Sequence, residues 1–408
     1  MLTPPEAPLP TPSRGRPLAV ASAPHGADRR ATWLELFFDL VFVVAVSKLA
    51  GMLLADPSPR GALVFLALFV PVWWAWIGIS YFVDQFELPP LVERLLMLEQ
   101  IALSIGLAVG LPDVVKGEPA LFAWSYFGLR LTLVLLYSWA AATVEGARPL
   151  CAKYGASFAL GAAAWGLALL LPPPTRTAVW AAVLVFEIIA TIWAYLSTPD
   201  IPAQVSHMPE RFGLFTIIVL GESVLAVTTG IGDVEGPAQL AVAACGVVLA
   251  FFAWWLYFDY ADEAVIDRAL RGGRAALYLS FVYGYTHLPV FAGIVATGVG
   301  VEHAVDDIAH GATLSGTTRL ALCGGLALYL AAVSVVQRAA PGGLLARVLA
   351  ARVGVTALLA ALGLLGGGLP ALAVVLGMTL AVAALVAFEY RTVSPHKDRE
   401  IGAAPEPA

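Results

Sequence analysis

The chain has 408 residues, 60% of them hydrophobic and 13% charged, with a formal net charge of -6; its mean hydropathy is +0.83. A water-soluble domain carries about 25% charged residues, so these proportions exclude an ordinary soluble fold and point to a lipid bilayer as the solvent. The small, diluted charge excludes a nucleic-acid partner, and three widely spaced cysteines (Cys151, Cys245 and Cys323) in apolar surroundings exclude a disulfide framework.

Residues 1–31 are rich in Pro, Ala and Arg and lack an apolar block long enough for a signal-peptide core. They read as a disordered cytoplasmic arm ending in Asp28-Arg29-Arg30. Beyond them, a helix needs about 20 apolar residues to cross the hydrocarbon. That ruler predicts twelve spans, at 32–54, 62–82, 92–111, 120–143, 154–171, 177–197, 212–231, 237–258, 275–298, 315–336, 347–367 and 369–389. Breaks bearing Pro, Gly and charge separate them, among them "LADPSPRG", "LPDVVKGEP" and "LPPPTRT". The weakest break is "GGGLPA", which leaves eleven spans, or a re-entrant last pair, open. Residues 391–408 form a polar cytoplasmic tail.

Positive charge sets orientation. Seventeen of the 23 Lys and Arg residues fall in segments on the N-terminal side of this scheme, against Arg60, Lys116 and Arg176 on the other; Lys48, Arg130 and Arg319 lie within spans. Both termini are therefore expected in the cytoplasm, which also favours an even number of spans.

The two halves show a common order of landmarks. "DLVFVV" from Asp39 aligns with "ESVLAV" from Glu222; "WWAW" and "WWLY" begin 34 and 32 residues later; Arg94 and Arg130 are answered by Arg274 and Arg319. The predicted fold class is thus an all-α polytopic transmembrane helix bundle of about 12 spans, arranged as two six-helix repeats at 32–197 and 198–390. Because six is even, the repeats would be parallel, related by an axis along the membrane normal.

The opening span, "WLELFFDLVFVVAV", carries Glu35 and Asp39 four residues apart, on one helix face. At 1.5 Å per residue, Asp39 lies about ten Å in from the cytoplasmic end. Glu99, Arg130, Glu187 and Glu222 sit near the middle of their spans, Arg319 is shallower on the outer side, and Glu35 is near the inner interface. Lys48 falls on the face opposite Asp39 and can reach the outer interface. A charge at the bilayer centre costs roughly 2.5 to 3.5 kcal/mol or more, so these groups are expected to face the bundle interior. Two readings follow. Asp39 with Arg130 and Glu222 with Arg319 could be ion pairs that lock each half. Alternatively, the groups line a polar pathway for protons, cations or a small solute, Glu99 and Glu187 having no evident partner.

"HMPERFGLFTIIVLGES" places His207, Glu210 and Arg211 as an interfacial cap on span 7, with Gly213 and Gly221 permitting close helix approach. His287 and Pro289 fall within span 9, where Pro is expected to kink the helix and the histidine to serve as an interhelical hydrogen-bonding group. "GIGD" at 230–233 resembles the signature of intramembrane aspartyl proteases, but Asp233 sits where span 7 leaves the membrane. His303, Asp306, Asp307 and His310 have a spacing that could hold zinc, although a solvated loop is the better reading. No HExxH, GxSxG, P-loop or CxxC occurs, so neither an enzyme nor a cofactor is expected.

"WLELFFDLVFVVAV", "ERFGLFTIIVLGESVLAV", "WWLYFDY" and "HLPVFAGIV" together resemble the bacterial low temperature requirement A family of integral membrane proteins. The resemblance spans about residues 30–390 and implies a multi-pass protein of the bacterial cytoplasmic membrane. The family's marked positions carry onto Glu35, Asp39, Glu210, Arg211, Gly221, Glu222 and Ser223. The six-plus-six plan is also similar to organellar potassium channels, whose Phe-Ser-Asp motif is Phe-Phe-Asp at 37–39 here and Leu-Gly-Glu at 220–222. The function expected is that of a transporter or channel-like protein for an ion or small solute; the alternative is a non-transporting sensor or assembly factor. Its partners are the lipid bilayer and that solute, and a homo-oligomer is left open.

Overall fold

Each apolar block between the Pro- and Gly-bearing breaks folds into one long helix. The computed structural model describes residues 19–20, 32–198, 208–231, 236–259, 273–311, 313–339 and 344–402. Within them lie α1 (Trp33–Ala55), α2 (Pro59–Gln85), α3 (Pro90–Lys116), α4 (Ala120–Thr143), α5 (Arg148–Leu167), α6 (Pro173–Leu196), α7 (Met208–Ile231), α8 (Pro237–Phe258), α9 (Gly273–His310), α10 (Gly316–Ala339), α11 (Ala346–Leu365) and α12 (Ala371–Gly402). Eleven of these are long and apolar enough to cross a membrane. The twelfth, α5, carries Arg148, Lys153 and a run of Gly and Ala that lower its hydropathy, yet it buries Tyr154, Phe158 and Trp165 against its neighbours.

Local chemistry sets the helix ends. Thr32 and Glu35 form a reciprocal capping box on α1: Glu35 N donates to Thr32 Oγ1 at 3.2 Å and Thr32 N to Glu35 Oε2 at 2.9 Å. Ser58 caps α2, with Pro59 in its first turn. Gly117, at φ 91°, ends α3 in the left-handed conformation that a glycine adopts without strain.

Several boundaries differ from the sequence reading. α3 runs through Pro112 to Lys116, because a proline in the last turns breaks little of the hydrogen-bond ladder. α5 starts at Arg148 rather than near 154, since Pro149 suits a first turn. α9 has 38 residues, about 57 Å at 1.5 Å each, so it projects beyond the hydrocarbon and takes up His303–His310. α12 continues to Gly402, into the segment expected as tail. Ala19–Val20 pairs antiparallel with Phe86–Glu87, so this part of the expected disordered arm is strand; the rest of the arm lies outside the described residues.

A run of helix contacts recurs in the two halves, although α8 also packs on α9 and α12, and α2 on α4, without an equally extensive counterpart. α1 packs on α2 and α3, α3 on α4, α4 on α5, and α5 on α6. Likewise α7 packs on α8 and α9, α9 on α10, α10 on α11, and α11 on α12. The halves meet chiefly where α1 touches α7 and α9. Large apolar side chains such as Leu63, Leu135, Leu160 and Leu380 remain on the outside, as lipid-facing positions require.

Close approach between helices relies on small residues. A Cβ at Gly293 of α9 would come 2.6 Å from the Tyr329 nitrogen and 2.7 Å from the Gly325 oxygen of α10. Gly293→Val should therefore cost about 1–3 kcal/mol by overpacking and lower the melting temperature of the purified protein. Gly377→Val, with no atom within 4 Å of the added Cβ, should leave it unchanged; equal effects at the two sites would contradict this packing.

Candidate functional site

Among the described residues, two of the buried charge clusters contain residues that the sequence singles out, and they are built differently. In the first, Asp39 of α1 faces Arg211 of α7. Both are close to the N-terminal ends of their helices, six residues after Trp33 and three after Met208, so they reach the same depth where α1 and α7 touch. Arg211 donates through Nη2 to Asp39 Oδ1 at 2.5 Å and through Nε to Oδ2 at 3.2 Å. The Trp76 Nε1–H donates to Oδ1 at 2.7 Å. Asp39 is 0% exposed and Arg211 2%. Phe215 and Phe212 pack their rings against Trp76 at 4.6 and 5.3 Å. The carboxylate is thus held by three donors and sealed from water. The expected pairing of Asp39 with Arg130 gives way to this one, and Arg211 leaves its expected interfacial position, because α1 lies against α7 and its long side chain extends into the bundle.

In the second cluster, Arg130 of α4 faces Glu187 of α6, both fully buried, with Nε and Oε2 3.5 Å apart. Glu187 Oε2 accepts from Trp74 Nε1 at 2.8 Å and from the Tyr126 hydroxyl at 3.2 Å. The guanidinium carbon lies 4.6 Å from the Tyr126 ring centroid, 5.6 Å from Phe158 and 5.8 Å from Trp74. None of the three guanidinium nitrogens makes a hydrogen bond among the described residues, and neither does Glu187 Oε1. The carboxylate fits because α5 has Gly161 opposite it, where any Cβ would overlap Glu187 Oε1.

A cavity of about 740 Å3, open solvent at its mouth included, reaches the wall in front of this second cluster, although neither Arg130 nor Glu187 lines it. α2 lines it with Trp74, Ile77, Gly78, Tyr81 and Gln85; α4 and α5 add Tyr137, Tyr154 and Phe158; α6 adds Thr191 and Tyr195; and α9 adds Ser280, Phe281 and Tyr285. Trp74 and Gln85 are 11 residues apart, about 16 Å along the helix. The outer residues sit at the C-terminal ends of α2, α4 and α6 and the N-terminal ends of α5 and α9, all on one face of the bundle. The inner end is formed by Trp74, Gly78 and Phe158, with Leu133 and Arg130 behind: a Cβ at Gly78 would lie 2.9 Å from Leu133 Cδ1 and 3.0 Å from Arg130 Nη1.

The other candidates are dispersed. Glu35 caps α1. Glu99 accepts from Thr132 Oγ1 at 2.8 Å and from Gln100 Nε2 at 2.8 Å. Glu210 lies one residue before Arg211, half-buried. Glu222 is 9% exposed and does not meet Arg319, which instead donates from Nε to the Gly363 carbonyl at 2.9 Å, beside a π-helical turn at Leu320–Gly324. Ser223 lines a second, smaller cavity with Thr297 and Tyr329. His287 is fully buried: Nδ1–H donates to the Tyr283 carbonyl at 2.6 Å, so Nε2 accepts from the Tyr257 hydroxyl at 2.8 Å. His303 bonds the Leu54 carbonyl, and Asp307 accepts from Ser315 N. Among the described residues, no three His, Cys, Asp or Glu side chains come together as a metal site. His207 and Asp233 lie outside the described residues.

Sequence reasoning missed two features. Arg352 was assigned to a cytoplasmic segment, yet it is fully buried and pairs with Glu389 through two hydrogen bonds of 2.7 and 2.8 Å, a third reaching Gln337. The signal was an acid near the end of the last span, facing an arginine just inside the preceding one. The cavity itself was also missed. Tyr154 and Phe158, Thr191 and Tyr195, and Phe281 and Tyr285 are each four apart, a spacing that reads as ordinary core.

Long apolar helices with ionisable groups neutralised inside the bundle define a polytopic integral membrane protein. Within that class the chain belongs to the bacterial low temperature requirement A (LtrA) family, whose profile matches residues 30–387. An uncharacterized protein of Rhizobium meliloti (strain 1021) is 29% identical over 323 residues, covering 76% of this chain and 77% of that protein. No solved structure matches the chain.

Removing one member of a buried ion pair leaves an unpaired charge, at a cost of about 3–5 kcal/mol. Asp39→Asn and Arg211→Met should each lower the melting temperature, whereas the exchange Asp39→Arg with Arg211→Asp should recover part of the loss. Strict additivity of the two changes would contradict a direct pair.

Proposed function

We propose that this protein is a transporter or channel-like protein that moves an ion or small solute through the bundle. The observation that carries this reading is the cavity that opens at one face and whose inner wall stands against the incompletely hydrogen-bonded Arg130–Glu187 pair. A one-sided vestibule ending at mid-membrane charges is the form that alternating access takes, and intramembrane ionisable groups mark solute pathways by default. Two six-helix repeats, related as parallel copies, are supported by a run of helix contacts common to both halves, first helix on second and third, then third on fourth, fourth on fifth and fifth on sixth. With Arg211 and Arg352 taken out as buried, fifteen basic residues remain on one side against three on the other. By that asymmetry the mouth and both termini face the cytoplasm, in the bacterial cytoplasmic membrane. The reading requires neither enzymatic chemistry nor a cofactor.

One observation favours a second reading, that of a non-transporting sensor or assembly factor. The Asp39–Arg211 pair is fully hydrogen-bonded and sealed, as a purely structural clamp would be.

Flux through purified protein in liposomes separates the two. Wild type should carry protons, potassium or a small organic solute such as glycine or urea faster than protein-free vesicles. Glu187→Gln should stay folded by size-exclusion profile but lose that flux. No flux of any of these, with the variant only melting earlier, would leave the structural reading.

A further inference from the structure

We infer that the inner end of the vestibule binds the carboxylate of a small organic acid whose apolar or aromatic body lies between the cavity's rings. The inference rests on the transport reading of that cavity and names its ligand class.

Three observations carry it. First, behind the inner end the three unmet guanidinium nitrogens of Arg130 outnumber the one unmet acceptor, Glu187 Oε1. Arg130 is fully buried and none of its three guanidinium nitrogens has a hydrogen-bond acceptor among the described residues. Nearer the mouth, the Tyr195 hydroxyl on the wall has no partner either. Buried donors of this kind are costly to leave unmet, and a planar guanidinium matches a carboxylate in both shape and charge.

Second, Glu187 does not saturate Arg130. Their contact is a single 3.5 Å approach through Nε, while Trp74 and Tyr126 both donate to Glu187 Oε2. Glu187 therefore keeps two donors when Arg130 turns toward a ligand. The absence of a side chain at Gly78 leaves Nη1 just behind the wall, where any Cβ would stand only 3.0 Å away.

Third, the walls suit an apolar body but not a cation. Eight of the thirteen lining residues are aromatic and none is ionised. Aromatic walls by themselves would attract an ammonium group. Here, however, the Trp74 and Phe158 rings at the inner end already interact with the Arg130 guanidinium, at 5.8 and 5.6 Å. A second cation there would compete for the same rings and be repelled by the first.

The test uses three probes that share one aromatic body: benzoate, benzamide and benzyltrimethylammonium. Binding to the full-length protein in detergent is followed by calorimetry and by melting temperature. Benzoate should bind more tightly than benzamide by about tenfold or more, the ratio expected for a hydrogen bond between charged groups over a neutral one. Benzyltrimethylammonium should bind worst. Arg130→Gln should abolish the preference for benzoate. Should that variant fail to fold, Glu187→Gln supplies an independent sign: removing the competing carboxylate should strengthen benzoate binding, and benzoate should raise the melting temperature of Glu187→Gln more than that of wild type.

Tighter binding of the cation, or weaker benzoate binding in Glu187→Gln, would overturn the carboxylate assignment while leaving a solute-binding vestibule. Binding of none of the three would overturn the inference outright, whereas the transport reading stands or falls separately on flux.

Discussion

The Asp39–Arg211 pair is the interaction on which the rest of the structure depends. A lone carboxylate or guanidinium cannot remain at this depth in hydrocarbon, so each group is tolerated only because the other stands opposite it. The two belong to α1 and α7, the first helix of each half. Joining them fixes the halves side by side and brings Trp76, Phe212 and Phe215 into one aromatic layer. It also sets α9 against α1, and through that placement positions Ser280, Phe281 and Tyr285 on the fifth side of the cavity.

The three buried Arg–carboxylate pairs share a composition and differ in completeness. Arg211 with Asp39 and Arg352 with Glu389 are each joined by two hydrogen bonds, and neither pair lines the large cavity. Arg130 with Glu187 is loosely joined and abuts it. A bundle held by saturated pairs can keep one unsaturated pair at low cost only if something else meets its capacity, whether water or a solute. That contrast, more than the number of intramembrane charges, separates clamp from site.

Much of the architecture was legible before any coordinates. Blocks of about 20 apolar residues between Pro-rich breaks located the twelve long helices among the described residues, because the bilayer imposes a minimum length on every span. Glu35, Asp39, Arg130 and Glu187 stood out because charge within such blocks is expensive. Pairing was not legible. Asp39 was matched to Arg130 within its own half, whereas contact between α1 and α7 brings it Arg211 from the other. Arg352 was counted with the inward-facing basic residues because it lies only five residues inside the predicted span 347–367, and boundaries in sequence are uncertain by several residues. The vestibule left no distinct mark, since aromatic residues four apart describe a packed helix face as well as a lined cavity.

Sided accessibility of the vestibule tests the central claim most directly, namely that a cavity open to one side of the membrane has its inner wall against the Arg130–Glu187 pair. With Cys151, Cys245 and Cys323 replaced by alanine, Thr191→Cys would be exposed in sealed vesicles to a membrane-impermeant thiol reagent added from either side. The one-sided vestibule predicts modification from one side well ahead of the other, the cytoplasmic side in the orientation proposed from the charge asymmetry, and none at Leu135→Cys, which replaces an exposed apolar residue. Modification of Thr191→Cys from neither side, as for the lipid-facing position, would contradict it.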